Sequence, residues 1–208
     1  MPAAASHHAL RHDRPRTPLR PRLLSTRNLD GLYNVACTVR AFQQVQAEHP
    51  DASLTLVGDG TEAGRLKVLV SSLGLRNVTF AGRVDPSQIP AFYADHDIYV
   101  QSPNIDNMPA SVLEAFASGL PVVSTDAGGV PTILRDGEDG LLAPVGDADA
   151  IAAHVLHLLQ RPDRARTLAE SAHRTLEAYT WPHVRDQWLS LYRSLLPRVA
   201  QQRAAVQA

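Results

Sequence analysis

Cysteine is almost absent from this chain of 208 residues. Cys37 stands alone, which excludes an internal disulfide and any structural zinc site built from several thiolates. A reducing cytoplasm suits such a chain. Lysine is nearly as scarce: Lys67 is the only one among 20 basic residues, and arginine supplies the rest, a skew expected of a GC-rich bacterial genome. There is no excess of charge of either sign. With 21 acidic residues the net charge is −1, so no cationic surface is expected for nucleic acid. No apolar run approaches the length that crosses a bilayer, and the first twenty residues lack the apolar centre of a signal peptide. Contact with a membrane from outside is still compatible with this composition.

What is present is a regular alternation. Short apolar runs predict strands at Leu23–Thr26, Leu54–Val57, Val78–Ala81, Ile98–Gln101, Val122–Thr125 and Leu141–Ala143. Helical patterns lie between and after them, at Tyr33–Glu48, Glu62–Leu73, Pro86–Ala94, Pro109–Ser118 and Gly129–Leu134. Three more follow, at Asp147–Gln160, Arg164–Tyr179 and Pro182–Arg203. This order predicts an α/β fold: a Rossmann-like, doubly wound parallel sheet of about six strands with C-terminal helices, whose ligands bind beyond the carboxyl ends of the strands. Residues 1–20 offer little to bury and read as a flexible tail or linker remnant. One domain is expected over 21–195 and a C-terminal tail over 196–208. His7 and His8 in the tail have no acidic or thiol companions, and His154 and His157, one turn apart, have no third ligand placed near them, so no metal site is expected.

The stretch from Asp106 to Gly129, DNMPASVLEAFASGLPVVSTDAGG, carries the most chemistry. Pro109 suits a first helical position and Gly119 the residue past the end, so Asp106 precedes a helix and Glu114 lies within it. The helix start offers free N–H groups and a positive dipole end to phosphate oxygens. Glu114 has apolar neighbours on nearly every face and must find donors, which ribose hydroxyls would supply. On spacing alone a second reading stands beside this one: Asp106 as a helix cap and Glu114 as a core carboxylate tied to backbone or to an arginine.

Asp106, Glu114, Ala115, Ala117, Gly119, Pro121, Val122, Val123, Asp126, Gly128 and Gly129 fall in one register. In that register the chain resembles the donor-site signature of retaining glycosyltransferases of the GT-B fold, of the family 4 type (glycosyl transferases group 1). The resemblance runs from about Arg22 to Tyr192, through RLLSTRNL, SLTLVGDG, LGLRNVTFAGRV, IPAFYADHDIYVQSP and DGEDGLLAPVGDADAIA. It implies transfer of a sugar, with retention, from a nucleotide-diphosphate donor to an acceptor hydroxyl, without a resident cofactor. In its terms Arg27 faces the donor diphosphate, Asp106 faces the sugar and the developing charge at its anomeric carbon, and Glu114 takes the ribose. Asn107, Met108, Pro109 and Ala110 would bring their backbone to the sugar and phosphates, with Leu113 beside the nucleotide. Arg83 and Val84 would lie against the base, the plain alternative for Arg83 being an exposed loop residue.

Gly58 and Gly60, in VGDGTEAG, sit at a strand end. A dinucleotide fingerprint would need a third glycine where Ala63 stands, which leaves a tight turn or, by the resemblance, a contact near the nucleotide. The chain departs from the family after Arg27, where Tyr33 and Asn34 follow instead of a lysine and a glycine. It also matches only the second of two Rossmann-like domains. The expected partners are therefore a nucleotide-sugar donor and an acceptor domain upstream or on a separate polypeptide. The alternative expectation is a catalytically silent nucleotide-sugar-binding subunit or remnant.

Overall fold

A computed structural model describes Arg16 and residues 18–206, with side chains to residue 195. His7 and His8, and most of the tail expected over 1–20, lie outside the described residues. Six strands form one sheet, all parallel: β1 (Arg22–Ser25), β2 (Ser53–Val57), β3 (Val78–Gly82), β4 (Ile98–Val100), β5 (Val122–Thr125) and β6 (Leu141–Ala143). Their order across the sheet is β3-β2-β1-β4-β5-β6. The order reverses between β1 and β4, and a crevice opens at such a switch point beyond the strand ends. Both loops that leave this point carry an expected site residue, Arg27 after β1 and Asp106 after β4.

The helices are α1 (Val35–Glu48), α2 (Ala63–Ser72), α3 (Ile89–Asp95), α4 (Ala110–Ala117), α5 (Ala148–Gln160), α6 (Pro162–Thr175) and α7 (Trp181–Val206). The central strands are buried on both faces: every residue of β4 and of β5 is buried, the apolar Ile98–Val100 and Val122–Val123 together with the polar Ser124 and Thr125. On one face, Val39, Phe42 and Val45 of α1 join Ile151, Val155 and Leu158 of α5 and Leu54 and Leu56 of β2 in a single core. Each such side chain contributes about 1.5–3 kcal/mol on leaving water.

Every expected helix is shifted at one end or both, and those expected at Pro86–Ala94 and Arg164–Tyr179 are each divided, into a 3₁₀ turn (Pro86–Gln88) before α3 and one (Leu176–Tyr179) after α6. Tyr33 belongs to a 3₁₀ turn (Gly31–Tyr33), and α1 starts only after Asn34, whose φ of 44° no helix accommodates. Pro109 is the N-cap of α4, with an extended ψ of 108°, and Ser118 the C-cap, so the helix is Ala110–Ala117. The helix expected at Gly129–Leu134 is one 3₁₀ turn, Val130–Thr132, because Gly128 and Gly129 are engaged in a close loop contact described below. The described residues fall into two compact units, one running to His173 and holding the sheet, the other starting at Arg174 and holding α7. Among the described residues no helix is long and apolar enough to cross a membrane.

Candidate functional site

Arg27 leaves the end of β1 with its side chain 11 % exposed. Its Nη1 donates to Ser111 Oγ at 3.0 Å and its Nη2 to Asp106 Oδ2, an ion pair between residues 79 positions apart. The Tyr33 ring lies under the guanidinium, with Cζ 4.1 Å from its centroid. A planar, delocalised cation suits both contacts, a fork for a carboxylate at its edge and a face for an aromatic ring. Tyr33 thus stands beside the one arginine of this cluster, in the segment where the resemblance has a second cation. Asn34 takes the left-handed conformation that a glycine would otherwise supply, and its Nδ2 donates to Asn104 Oδ1 at 3.0 Å.

Glycines hold the loop that carries Asp106. Gly129 N donates to Asp106 O at 2.7 Å. A Cβ on Gly128 would lie 2.4 Å from Asp106 O, and one on Gly129 only 1.9 Å from Asn107 O. Backbone meets backbone there, so neither position admits a side chain. Gly58 and Gly60 do the same for the neighbouring loop: a Cβ on Gly58 would meet Arg27 O at 2.3 Å, and one on Gly60 would meet Leu29 C at 2.5 Å. Their requirement for glycine follows from the close approach of the β1 and β2 loops, where Leu29 N donates to Asp59 O at 3.0 Å.

Behind Arg27 and α4 lies a buried polar layer that the sequence did not announce. Tyr93 of α3 and Tyr99 of β4 are fully buried and stacked, centroids 5.9 Å apart. The Tyr93 hydroxyl is 2.8 Å from Thr26 Oγ1, 2.9 Å from Glu114 Oε2 and 3.1 Å from Ser111 O. Gln101 receives the Ser111 hydroxyl at 3.3 Å and donates to Ser124 Oγ at 3.1 Å. Burial pushes the Tyr93 phenol well above its ordinary value, with the neighbouring Tyr99 and Glu114 adding to the rise, and burial raises Tyr99 as well. Both hydroxyls stay protonated and can act as donors.

Of the expected residues, Arg27, Asp106, Pro109 and Ala110 gather where the β1 and β4 loops meet the start of α4, with Gly58 against the Arg27 backbone. No side chain caps that start, which leaves the first turn open to an anion. Asp106 does not cap α4; its Oδ2 pairs with Arg27. Glu114 accepts from the Tyr93 hydroxyl through Oε2. Asn107 and Met108 are exposed, Met108 to 54 %, and Leu113 is half-buried. Arg83 is exposed and Val84 half-buried on the loop after β3, whose Gly82 O accepts from Gly58 N at 2.9 Å. His154 contacts Leu142 O at 3.0 Å through Nε2, and no cluster of three metal-ligating side chains occurs among the described residues.

A six-stranded, all-parallel sheet flanked by helices, with its strand order reversing between β1 and β4, is a Rossmann-like fold and makes one half of a GT-B fold. The chain belongs to the glycosyl transferases group 1 family, whose sequence profile matches residues 11–175. It is 35 % identical over 150 residues to the lipopolysaccharide core biosynthesis glycosyltransferase LpsE of Rhizobium meliloti, covering 71 % of this chain and 44 % of that one. Among solved structures it is similar to the pneumococcal O-GlcNAc transferase GtfA in complex with UDP and GlcNAc, with a TM-score of 0.76 and 21 % identity, covering 90 % of this chain and 38 % of that one. The C-terminal domain of a glycosyl transferase group 1 family protein from Francisella tularensis aligns with a TM-score of 0.69 at 22 % identity, over 76 % of this chain and 84 % of that one. The chain thus spans less than half the length of LpsE.

Proposed function

We propose that this chain is the donor-binding half of a retaining glycosyltransferase, which transfers a sugar from a nucleotide-diphosphate sugar to an acceptor hydroxyl. The observation that carries the reading is the meeting of Arg27, Asp106 and the uncapped start of α4 at the point where the strand order reverses. There Arg27 and the helix dipole supply positive potential for a departing diphosphate, and a fixed charge needs no reorganisation when the bond breaks. Asp106 faces the sugar and the charge that develops at the anomeric carbon. Glu114, one turn and more into α4, accepts from the ribose. The Asn107–Ala110 backbone borders sugar and phosphate, Leu113, Arg83 and Val84 border the nucleoside, and Gly58 and Gly60 let the backbone come near it. No resident cofactor is part of this proposal. GtfA, whose solved structure contains UDP and GlcNAc, supports a nucleotide-sugar donor.

The acceptor would be held by a second domain, upstream or on another polypeptide, in a protein of the cytoplasm whose arginine-bearing termini could touch an anionic membrane. The exposed apolar residues Trp181, Trp188, Leu191, Tyr192 and Leu195 of α7 recur at heptad-like spacing and support docking of that domain. A second reading, a nucleotide-sugar-binding subunit that is silent in catalysis, is favoured by Tyr33 standing under Arg27 where the family carries a further cation. Calorimetric titration with UDP, GDP and ADP, using Arg27→Ala and Glu114→Gln as controls, tests the binding role. Affinity that is untouched by Glu114→Gln would refute the ribose assignment. Sugar transfer after adding an acceptor-domain polypeptide separates the enzyme from the silent subunit.

A further inference from the structure

Tyr93 lies on α3, outside the stretch that carries the donor signature, and its side chain is fully buried. Its hydroxyl has one proton and three oxygen neighbours: Thr26 Oγ1 at 2.8 Å, Glu114 Oε2 at 2.9 Å and Ser111 O at 3.1 Å. The Ser111 carbonyl and an ionised Glu114 can only accept, whereas Thr26 can also give. Thr26 Oγ1 also lies 3.4 Å from the Tyr99 hydroxyl, but Tyr93 is the nearer partner, so the arrangement that satisfies the phenol runs from the Thr26 hydroxyl to Tyr93, and from Tyr93 to an acceptor. Of the two acceptors, the carboxylate is nearer and carries charge, which makes it the stronger partner. Stacking against Tyr99, with planes 25° apart, keeps the ring from swinging away.

We infer that Tyr93 is a positioning residue for Glu114, its hydroxyl fixing Oε2 so that the carboxylate presents itself to the ribose hydroxyls of the donor. This rests on the donor-half reading above, in which Glu114 takes the ribose. A carboxylate on a three-bond side chain has several rotamers, and it discriminates between a ribose and a deoxyribose only while one of them is held. Thr26, at the end of β1, and Tyr93 thereby tie the strand that delivers Arg27 to the helix that delivers Glu114. The phosphate-facing and ribose-facing groups are set by one continuous network.

Calorimetry with UDP, GDP and ADP identifies the tightest ligand of the whole chain, and its 2′-deoxy and 3′-deoxy forms then give a ribose discrimination ratio. Tyr93→Phe keeps the ring and removes the hydroxyl. The ratio is expected to fall about tenfold, the loss of one hydrogen bond to a charged group, while affinity for the deoxy forms holds. Thr26→Val, which leaves the phenol in place, should lower the ratio in the same direction by less, and it serves if the phenylalanine variant does not fold. A ratio that survives these substitutions, or an equal loss for ribose and deoxyribose ligands, would overturn the positioning role and assign Tyr93 to packing alone. Failure of the underlying reading looks different: the wild-type chain would then bind no nucleoside diphosphate, or would show no discrimination that Glu114→Gln removes.

Discussion

At the scale of single residues, Arg27 has the most to lose. Its guanidinium is held by a carboxylate, a hydroxyl and an aromatic face, so Arg27→Ala strips three partners at once. It leaves Asp106, 12 % exposed, without its counter-charge, a cost of about 1–3 kcal/mol in folding stability. Urea titration should register that loss. Nucleoside diphosphate affinity is expected to fall about tenfold or more in the same variant, since the cation proposed to face the diphosphate is removed. Gly129→Ala tests a different kind of contact, because its Cβ would sit 1.9 Å from Asn107 O and only movement of the Asp106 loop can relieve the clash. A lower melting temperature and weakened ligand binding together are the expected result; an alanine variant as stable as the parent would contradict the close approach. Gly31, around which a Cβ would meet nothing, is the control that should tolerate alanine.

At the scale of elements, helix α3 is fastened to the sheet by His96, whose Nδ1 lies 2.6 Å from Phe92 O and whose Nε2 lies 2.8 Å from Thr55 Oγ1 on β2. Burial holds this imidazole below its ordinary value of 6.5. Above pH 6.5 the side chain is neutral in both folded and unfolded chains and the stabilisation is complete; as pH falls below 6.5 the unfolded chain takes up the proton first, and stability declines towards the lower folded value. Denaturant midpoints measured from pH 8 to pH 5 should show that decline, and His96→Gln should flatten it. The start of α1 depends on Asn34 at φ 44°, so Asn34→Ala should cost about 1–2 kcal/mol. Elements of this kind were legible where local pattern decides them. The β4 run reads as a buried strand because it is apolar on both faces, and β5 does so from Val122 and Val123. The polar layer was not legible: Thr26, Tyr93 and Ser111 meet across 67 and 18 residues of sequence, and a tyrosine in a short apolar helix looks like any core residue. The 3₁₀ turn at Val130–Thr132 has the local pattern of a longer helix for a related reason, since Gly128 and Gly129 pack on the loop that carries Asp106 and Asn107.

At the scale of the whole molecule, the chain divides into an α/β unit and a helical unit. Both of its tryptophans, Trp181 and Trp188, lie on α7 and are exposed to 71 % and 52 %. Their emission should therefore be that of solvated indole in the isolated chain, and a blue shift on adding an acceptor-domain polypeptide would report docking on that helix. The central claim concerns the other unit, where a parallel sheet, an arginine and a helix start converge at the switch point. Calorimetric titration of the purified chain with UDP, GDP and ADP tests it most directly. The account predicts saturable binding of at least one of them, weakened by Arg27→Ala and by Glu114→Gln; a folded chain that binds none of the three, or binds them unaffected by both substitutions, would contradict it.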